Sequence, residues 1–360
     1  MDDAVILATN RTMCIKKLEV LSKYCNEYGM IINESKTKFF VVNGHAIDRE
    51  DLKVNSIAVS YTHRYLYLGA WFTDSGRIKD IVSVHETSNE AVVSKFVIFC
   101  AANSEMPYAY KRRVFDAAVI SSLLYSCESW LTKNIKGIEG QYNKLMKCLL
   151  GVRKNTSNNL CTLEAGILPV KNIIANKQRS FLISKLENMN EELPFNYVYS
   201  MCRDNGTPGY RYLSNVIQQN YQHNTLEVIA HGVREGSRNA TKLTTYVSDF
   251  NPSLCVHKVY STTQYIPDFC RVSFTRLRLM SHNLRVETGR WSRTPAHLRT
   301  CSCDNDSVQS ESHVLVLCPL SNHCRTRYSM LNFENVNTLM NEPTHIVELC
   351  KYIHDVLSLY

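Results

Sequence analysis

The chain has 360 residues, enough for two or three domains of ordinary size, and is 44% hydrophobic and 21% charged, which excludes a chain disordered by composition. Lysine and arginine outnumber aspartate and glutamate by 41 to 33, a surplus of 8 that permits a polyanionic partner without requiring one. The 14 cysteines come without a basic, apolar and small-residue leader, so they read as reduced thiols and metal ligands, not as a secreted disulfide frame. The longest apolar stretch, 117–127, is broken by serines and is too short for a bilayer. These features predict an intracellular protein, nuclear or cytoplasmic, with no membrane partner.

In chain order, Asp2-Asp3 precede an apolar run over residues 4–8, whose length and Val/Ile content predict a strand. Either the two acids are a solvated terminus or the chain starts inside a domain. Asn10 can cap a helix with the stripe Cys14, Leu18, Leu21, Cys25 and Tyr28, and Gly29 can stop it. Further strands are expected at 39–42, 54–59 and 65–71, so residues 1–75 predict an α+β segment. From Ile78 the texture is helical, with stripes over 78–99 and 114–125. A third helix over 139–150 ends at Gly151, and a fourth spans 171–188 beyond Pro169. Residues 76–190 thus predict a helical bundle. The Asn-, Tyr- and Ser-rich stretch 191–268 shows no assignable period and is treated as a connector. Residues 269–330 combine arginines with a Cys/His cluster. The tail, 331–360, predicts a helix packed through Val347, Leu349, Ile353 and Leu357.

Several of these residues carry chemistry. Adjacent carboxylates such as Asp2-Asp3 suit Mg²⁺ binding in phosphoryl transfer, although two-metal chemistry needs a third carboxylate from elsewhere. The alternative is a pair of solvated acids. Lys36 and Lys38 read equally as phosphate contacts or as solvated lysines at a strand start. Cys301-x-Cys303-x9-His313-x4-Cys318 offers three thiolates and one imidazole, a closed tetrahedral Zn²⁺ set. Its Cys-x-Cys half needs a sharp bend, for which Asp304-Asn305-Asp306-Ser307 supplies turn residues. His297, His323 and Cys324 are possible substitute ligands. Between Arg271 and Arg299 stand seven arginines against a single acid, Glu287. Such an excess favours phosphate recognition, because guanidinium forks bind phosphates bidentately and stack on bases. Arg276 and Arg278 would share one face if the segment were a strand; on a helix, Leu277, Met280 and Leu284 would face inward. Trp291 beside Arg290 offers a stacking platform for an unpaired base.

Together, Met1-Asp2-Asp3, the block from Gly29 to Lys38 and the block from Leu66 to Gly69 resemble motifs C, D and E of the palm of non-LTR (LINE-type) retrotransposon reverse transcriptases. The similarity continues through Arg112-Arg113-Val114-Phe115, residues 124–130, the helix over 141–151, residues 163–169 and the Cys/His cluster. The resemblance implies a truncated palm over 1–75, a helical thumb over 76–190, a connector over 191–268, an Arg-rich zinc-knuckle-like segment over 269–330 and a helical tail over 331–360. It implies RNA-directed DNA synthesis with two Mg²⁺ ions as the parent activity, and RNA template and DNA primer as partners. Asp2 and Asp3 would be metal carboxylates, and Lys36 would lie near the leaving pyrophosphate. Lys38, Tyr67, Leu68, Gly69, Arg276, Arg278, Arg290 and Trp291 would contact nucleic acid. The motif C aromatic residue, the motif A aspartate and motif B would all precede Met1. The expectation is therefore a fragment that binds nucleic acid but does not polymerise alone, or else a stand-alone zinc-dependent nucleic-acid-binding protein or a non-functional remnant.

Overall fold

The computed structural model describes residues 4–55, 57–187, 194–218, 225–341 and 344–360. Five short strands come early: β1 (Lys38–Phe39), β2 (Leu52–Val54), β3 (Ile57–Tyr61), β4 (Arg64–Tyr67) and β5 (Ala70–Thr73). Helices make up most of the rest. The first nine are α1 (Arg11–Glu27), α2 (Ile78–Ser88), α3 (Glu90–Ala102), α4 (Tyr108–Val114), α5 (Ser121–Leu123), α6 (Lys136–Leu150), α7 (Asn158–Ala165), α8 (Val170–Glu187) and α9 (Pro194–Asp204). They are followed by α10 (Pro208–Gln218), α11 (Thr225–Gly236), α12 (Thr241–Thr245), α13 (Asp268–Arg278), α14 (Arg285–Trp291), α15 (Asn322–Arg327), α16 (Val336–Met340) and α17 (Ile346–Leu357). The class is α+β, mostly helical. None of the described helices is long and apolar enough to cross a membrane.

The chain divides into two compact units. The first comprises Met1–Glu90, Leu124–Ile135 and Glu191–Leu213. Here α1 begins as its sequence dictates: the Asn10 side chain accepts from the Met13 amide at 2.8 Å. It ends at Gly29, whose φ of +65° lets the Met30 amide reach back to the Cys25 carbonyl at 2.7 Å. Leu18 on α1 packs on Leu52, Val54 and Val59, and so covers one face of a three-stranded sheet of order β1-β3-β2. In that sheet β1 runs parallel to β3, and β2 runs antiparallel to it.

Two expected strands, 54–59 and 65–71, each contain a reversal and fold back as hairpins. Asn55, with φ +55°, breaks the first between β2 and β3. In the second, Tyr67 pairs with Ala70 across a two-residue turn of Leu68 and Gly69, both at positive φ. The strand expected at 39–42 shortens to β1. The strand expected at 4–8 is not formed: Val5 and Leu7 are 52% and 78% exposed, and among the described residues no strand pairs with them. A run rich in strand formers still needs a ladder partner for its backbone groups.

The second unit comprises Ala91–Leu123, Lys136–Asn190 and Ser214–Tyr360. The helix expected over 114–125 starts earlier, as α4, and passes through a π-helical turn at 115–120 into α5. The α6 helix buries Ile138, Tyr142, Leu145, Leu149 and Leu150, then stops at Gly151 with φ +72°. Across the unit, α13 and α17 pack against each other. Leu349 and Ile353 of the tail helix are buried as expected. The inward stripe is completed by Ile346, Cys350 and Val356, whereas Val347 and Leu357 are only half-buried. Where the sequence showed no period, between 191 and 268, the first unit's α9 and the helix α10 begin at Pro194 and Pro208, a position where proline lacks only a hydrogen bond the helix never makes.

Candidate metal centre and its basic surroundings

The loop that carries Cys301 and Cys303 is closed at its base by an antiparallel bridge between Thr300 and Val308. The Gln309 amide donates to the Arg299 carbonyl at 2.8 Å, and the Cys301 amide to the Ser307 carbonyl at 2.7 Å. The bend demanded by Cys-x-Cys is made by Asp304. Its carboxylate accepts from the Ser307 hydroxyl at 2.6 Å and from the Asp306 and Ser307 amides, each at 3.0 Å. These hydrogen bonds, that of Ser307 foremost, hold the Asp304 carboxyl below the usual carboxylate range. Asn305 takes φ +57° and donates its amide to the Cys301 carbonyl at 2.9 Å.

His313 enters from the other side on a π-helical turn, His313–Leu317, and Cys318 follows it directly. The Cys318 amide closes that turn on the His313 carbonyl at 2.7 Å. One ligand atom from each of Cys301, Cys303, His313 and Cys318 therefore lies within 4.8 Å of every other. The Cys301 and Cys318 sulfurs are 3.8 Å apart, and the Cys303 sulfur is 3.2 Å from His313 Nε2. A tetrahedron with metal–sulfur bonds of about 2.3 Å has sulfur–sulfur edges of about 3.8 Å, so this cluster can hold a metal ion of zinc's size and preference. His297, His323 and Cys324 are not part of it.

The protonation of the thiols points the same way. Burial works against ionisation of Cys318, but hydrogen bonds from the Tyr360 hydroxyl, the Leu320 amide and the neighbouring thiols outweigh it and lower its pKa. The Tyr360 hydroxyl donates to the Cys318 sulfur at 3.0 Å. Cys303 is pushed up to about 12, first by desolvation and then by the other two thiols. One thiolate forms readily and opposes the next, a conflict that a bound divalent cation cancels by taking all of them deprotonated.

The arginines upstream divide into two kinds. Arg278, expected to contact phosphate, is instead wholly buried: its Nε lies 2.6 Å from Glu164 Oε1 and its Nη2 3.2 Å from Oε2, and it also bonds the Phe250 carbonyl. A guanidinium sealed in this way cannot reach a nucleic acid. Tyr246 and Tyr260 donate to the same carboxylate at 2.9 and 3.0 Å. Arg271 is buried likewise on Asp268, which also takes Lys111 at 2.5 Å. Arg290 pairs with the buried Glu287, shared with Lys242. Three of the seven arginines are thus neutralised, two by acids three residues away and Arg278 by Glu164, 114 residues upstream. Arg276, Arg285 and Arg293 remain exposed and, among the described residues, without a carboxylate partner. Arg276 and Arg278 lie on opposite sides of helix α13, one exposed and one buried, with Leu277 in the core.

Trp291 is half-exposed, and its ring carries the guanidinium of Arg153, whose central carbon sits 4.1 Å from the ring centroid. Arg153 carries no signal of its own in the sequence, since it lies 138 residues upstream of Trp291. In the first unit, the Lys38 ammonium donates to the Ser60 hydroxyl at 3.0 Å, and the Lys36 carbonyl accepts from the Tyr65 hydroxyl at 3.3 Å. Tyr67, Leu68 and Gly69 form the tip of the β4–β5 hairpin, where the Tyr125 hydroxyl donates to the Leu68 carbonyl at 2.8 Å. Asp2 and Asp3 lie outside the described residues. No family model, curated protein or solved structure matches this chain.

Proposed function

We propose that the chain is part of a non-LTR (LINE-type) retrotransposon reverse transcriptase, and that the function resident in these residues is nucleic-acid binding around a structural Zn²⁺ site. The observation that carries this reading is the four-ligand cluster of Cys301, Cys303, His313 and Cys318, with ligand atoms within 4.8 Å of one another, set directly after an arginine-rich stretch. Four protein ligands leave no open coordination position, so the ion's role is to hold the loop and not to activate water. Exposed Arg276, Arg285 and Arg293 supply the charge, and Trp291 supplies the stacking surface.

The test is direct. Purified chain should contain a stoichiometric equivalent of zinc, and Cys318→Ser should contain none. Labelled RNA and DNA oligonucleotides should bind with an affinity that falls steeply as salt rises, because each phosphate contact releases counterions. Absence of zinc together with flat salt dependence refutes the reading. The palm assignment of Asp2, Asp3, Lys36, Lys38 and Tyr67-Leu68-Gly69, with Mg²⁺, an RNA template and a DNA primer, belongs to the same proposal. Primer extension by this chain alone should yield no product, since two-metal phosphoryl transfer needs a further carboxylate; robust synthesis overturns that expectation.

A further inference from the structure

A cleft of about 440 Å³ opens in the second unit between the end of α6, the end of α13 and the last turn of α17. Arg153 and Arg276 both line it, with the hydroxyls of Ser273, Ser281 and Tyr360 and the ring of His354. Both guanidiniums are fixed by neutral groups. Arg153 donates to the His282 carbonyl at 3.0 Å, bonds Asn283 Oδ1 and stacks on Trp291. Arg276 donates through Nε to the Gly151 carbonyl at 2.7 Å, which leaves both of its terminal nitrogens for a ligand. Among the described residues, no aspartate or glutamate side chain lines the cleft.

Acids of the surrounding segments are engaged with other partners: Glu311 with His282, Glu287, whose charge is also felt at Arg153, with Lys242 and Arg290, and Asp355 with Arg327 and Tyr328. Two cations so placed repel each other. Partial burial of its stem, then the charges of Arg153 and Arg271, lower the pKa of Arg276.

We infer that this cleft binds a phosphate group, held between the Arg153 and Arg276 guanidiniums, with the Ser281 hydroxyl as a further donor. The free fork of Arg276 matches a phosphate bidentately, Arg153 adds its charge from the other side, and the Ser281 hydroxyl can complete a remaining acceptor. The strand that supplies the phosphate can place an adjoining base near Trp291, whose ring is already oriented by Arg153. As a nucleic-acid phosphate the ligand rests on the function proposed above; as inorganic phosphate it does not.

The experiment uses the full chain, Arg276→Gln, and Arg238→Gln as a control for loss of one exposed arginine elsewhere in the same unit. Each is titrated with inorganic phosphate by calorimetry and, separately, with a labelled single strand of about ten nucleotides by anisotropy. Arg276 is exposed, so its replacement leaves the core intact, and a thermal melt checks this. The expected result is an affinity loss of about tenfold for both probes in Arg276→Gln and none in Arg238→Gln, as for removal of a charged hydrogen-bonding pair. Equal affinity of wild type and Arg276→Gln for both probes overturns the cleft assignment and leaves the nucleic-acid reading standing. Arg276-dependent binding of inorganic phosphate without any binding of the strand upholds the cleft and overturns the nucleic-acid reading. Phosphate binding that weakens equally in both variants reports surface charge alone and overturns the site.

Discussion

At the scale of single residues, buried charge is decided by partners the local sequence does not show. Arg278 and Arg276 stand two positions apart, yet one is a core residue and the other faces solvent. The difference is Glu164, 114 residues upstream, whose carboxylate takes Arg278, Tyr246 and Tyr260 together. Removing one member of a buried pair leaves the other desolvated and unpaired, so Glu164→Ala should lose about 3–5 kcal/mol in chemical denaturation. A loss close to zero would mean that the pair is not buried in solution. His257 adds a pH dependence. Burial first, then the nearby Arg278, push its pKa from 6.5 down to about 3. The unfolded chain therefore binds a proton below the ordinary histidine value that the folded chain refuses. Stability is full above about pH 6.5 and should fall as pH drops from there toward 3, by at most about 1.4 kcal/mol per pH unit from this group. His257→Gln should flatten that part of the profile, as measured by denaturant midpoints across pH.

At the scale of elements, signals that act within a few residues were readable and pairings were not. Asn10 and Gly29 mark the ends of α1, Gly151 marks the end of α6, and the tail helix buries Leu349 and Ile353. The turn at Asp304-Asn305-Asp306-Ser307 and the four cluster ligands follow from spacing, because the chemistry of a tight loop is local. By contrast, a hydrophobic run such as 65–71 looks the same whether it stays straight or reverses at Leu68-Gly69. A strand at 4–8 depends on a ladder the run itself does not supply. The hairpin tip is a place to test this reading. Gly69 has φ +80°, and a Cβ there would come within 2.7 Å of the Tyr125 ring. Gly69→Ala should therefore destabilise the β4–β5 hairpin by about 1–2 kcal/mol, seen as faster amide exchange at Tyr67 and Ala70, with unchanged exchange in α17 as the control.

At the scale of the molecule, the charge surplus of 8 is a poor guide to where a polyanion would sit. Arg271, Arg278 and Arg290 are neutralised inside the second unit, so the field felt by a phosphate comes from a smaller set that includes Arg153 and Arg276. The metal cluster predicts a further property. A chelator should loosen the loop closed by the Thr300–Val308 bridge while leaving the buried α13–α17 pair, because the ion would tie Cys301 and Cys303 of that loop to His313 and Cys318. Amide exchange with and without chelator measures this; uniform protection in both states would remove the metal from the account.

The carboxylate of Glu164 has one more consequence. Helix α7 supplies it, α13 supplies its cation, and the chain between them supplies both phenols. None of these segments can be buried first without enclosing a bare charge or an unmatched donor, and the cost of doing so exceeds what one short helix gains by docking. Assembly of this centre is therefore concerted: half-docked forms are penalised, and the second unit should unfold in a single sharp transition instead of peeling apart helix by helix.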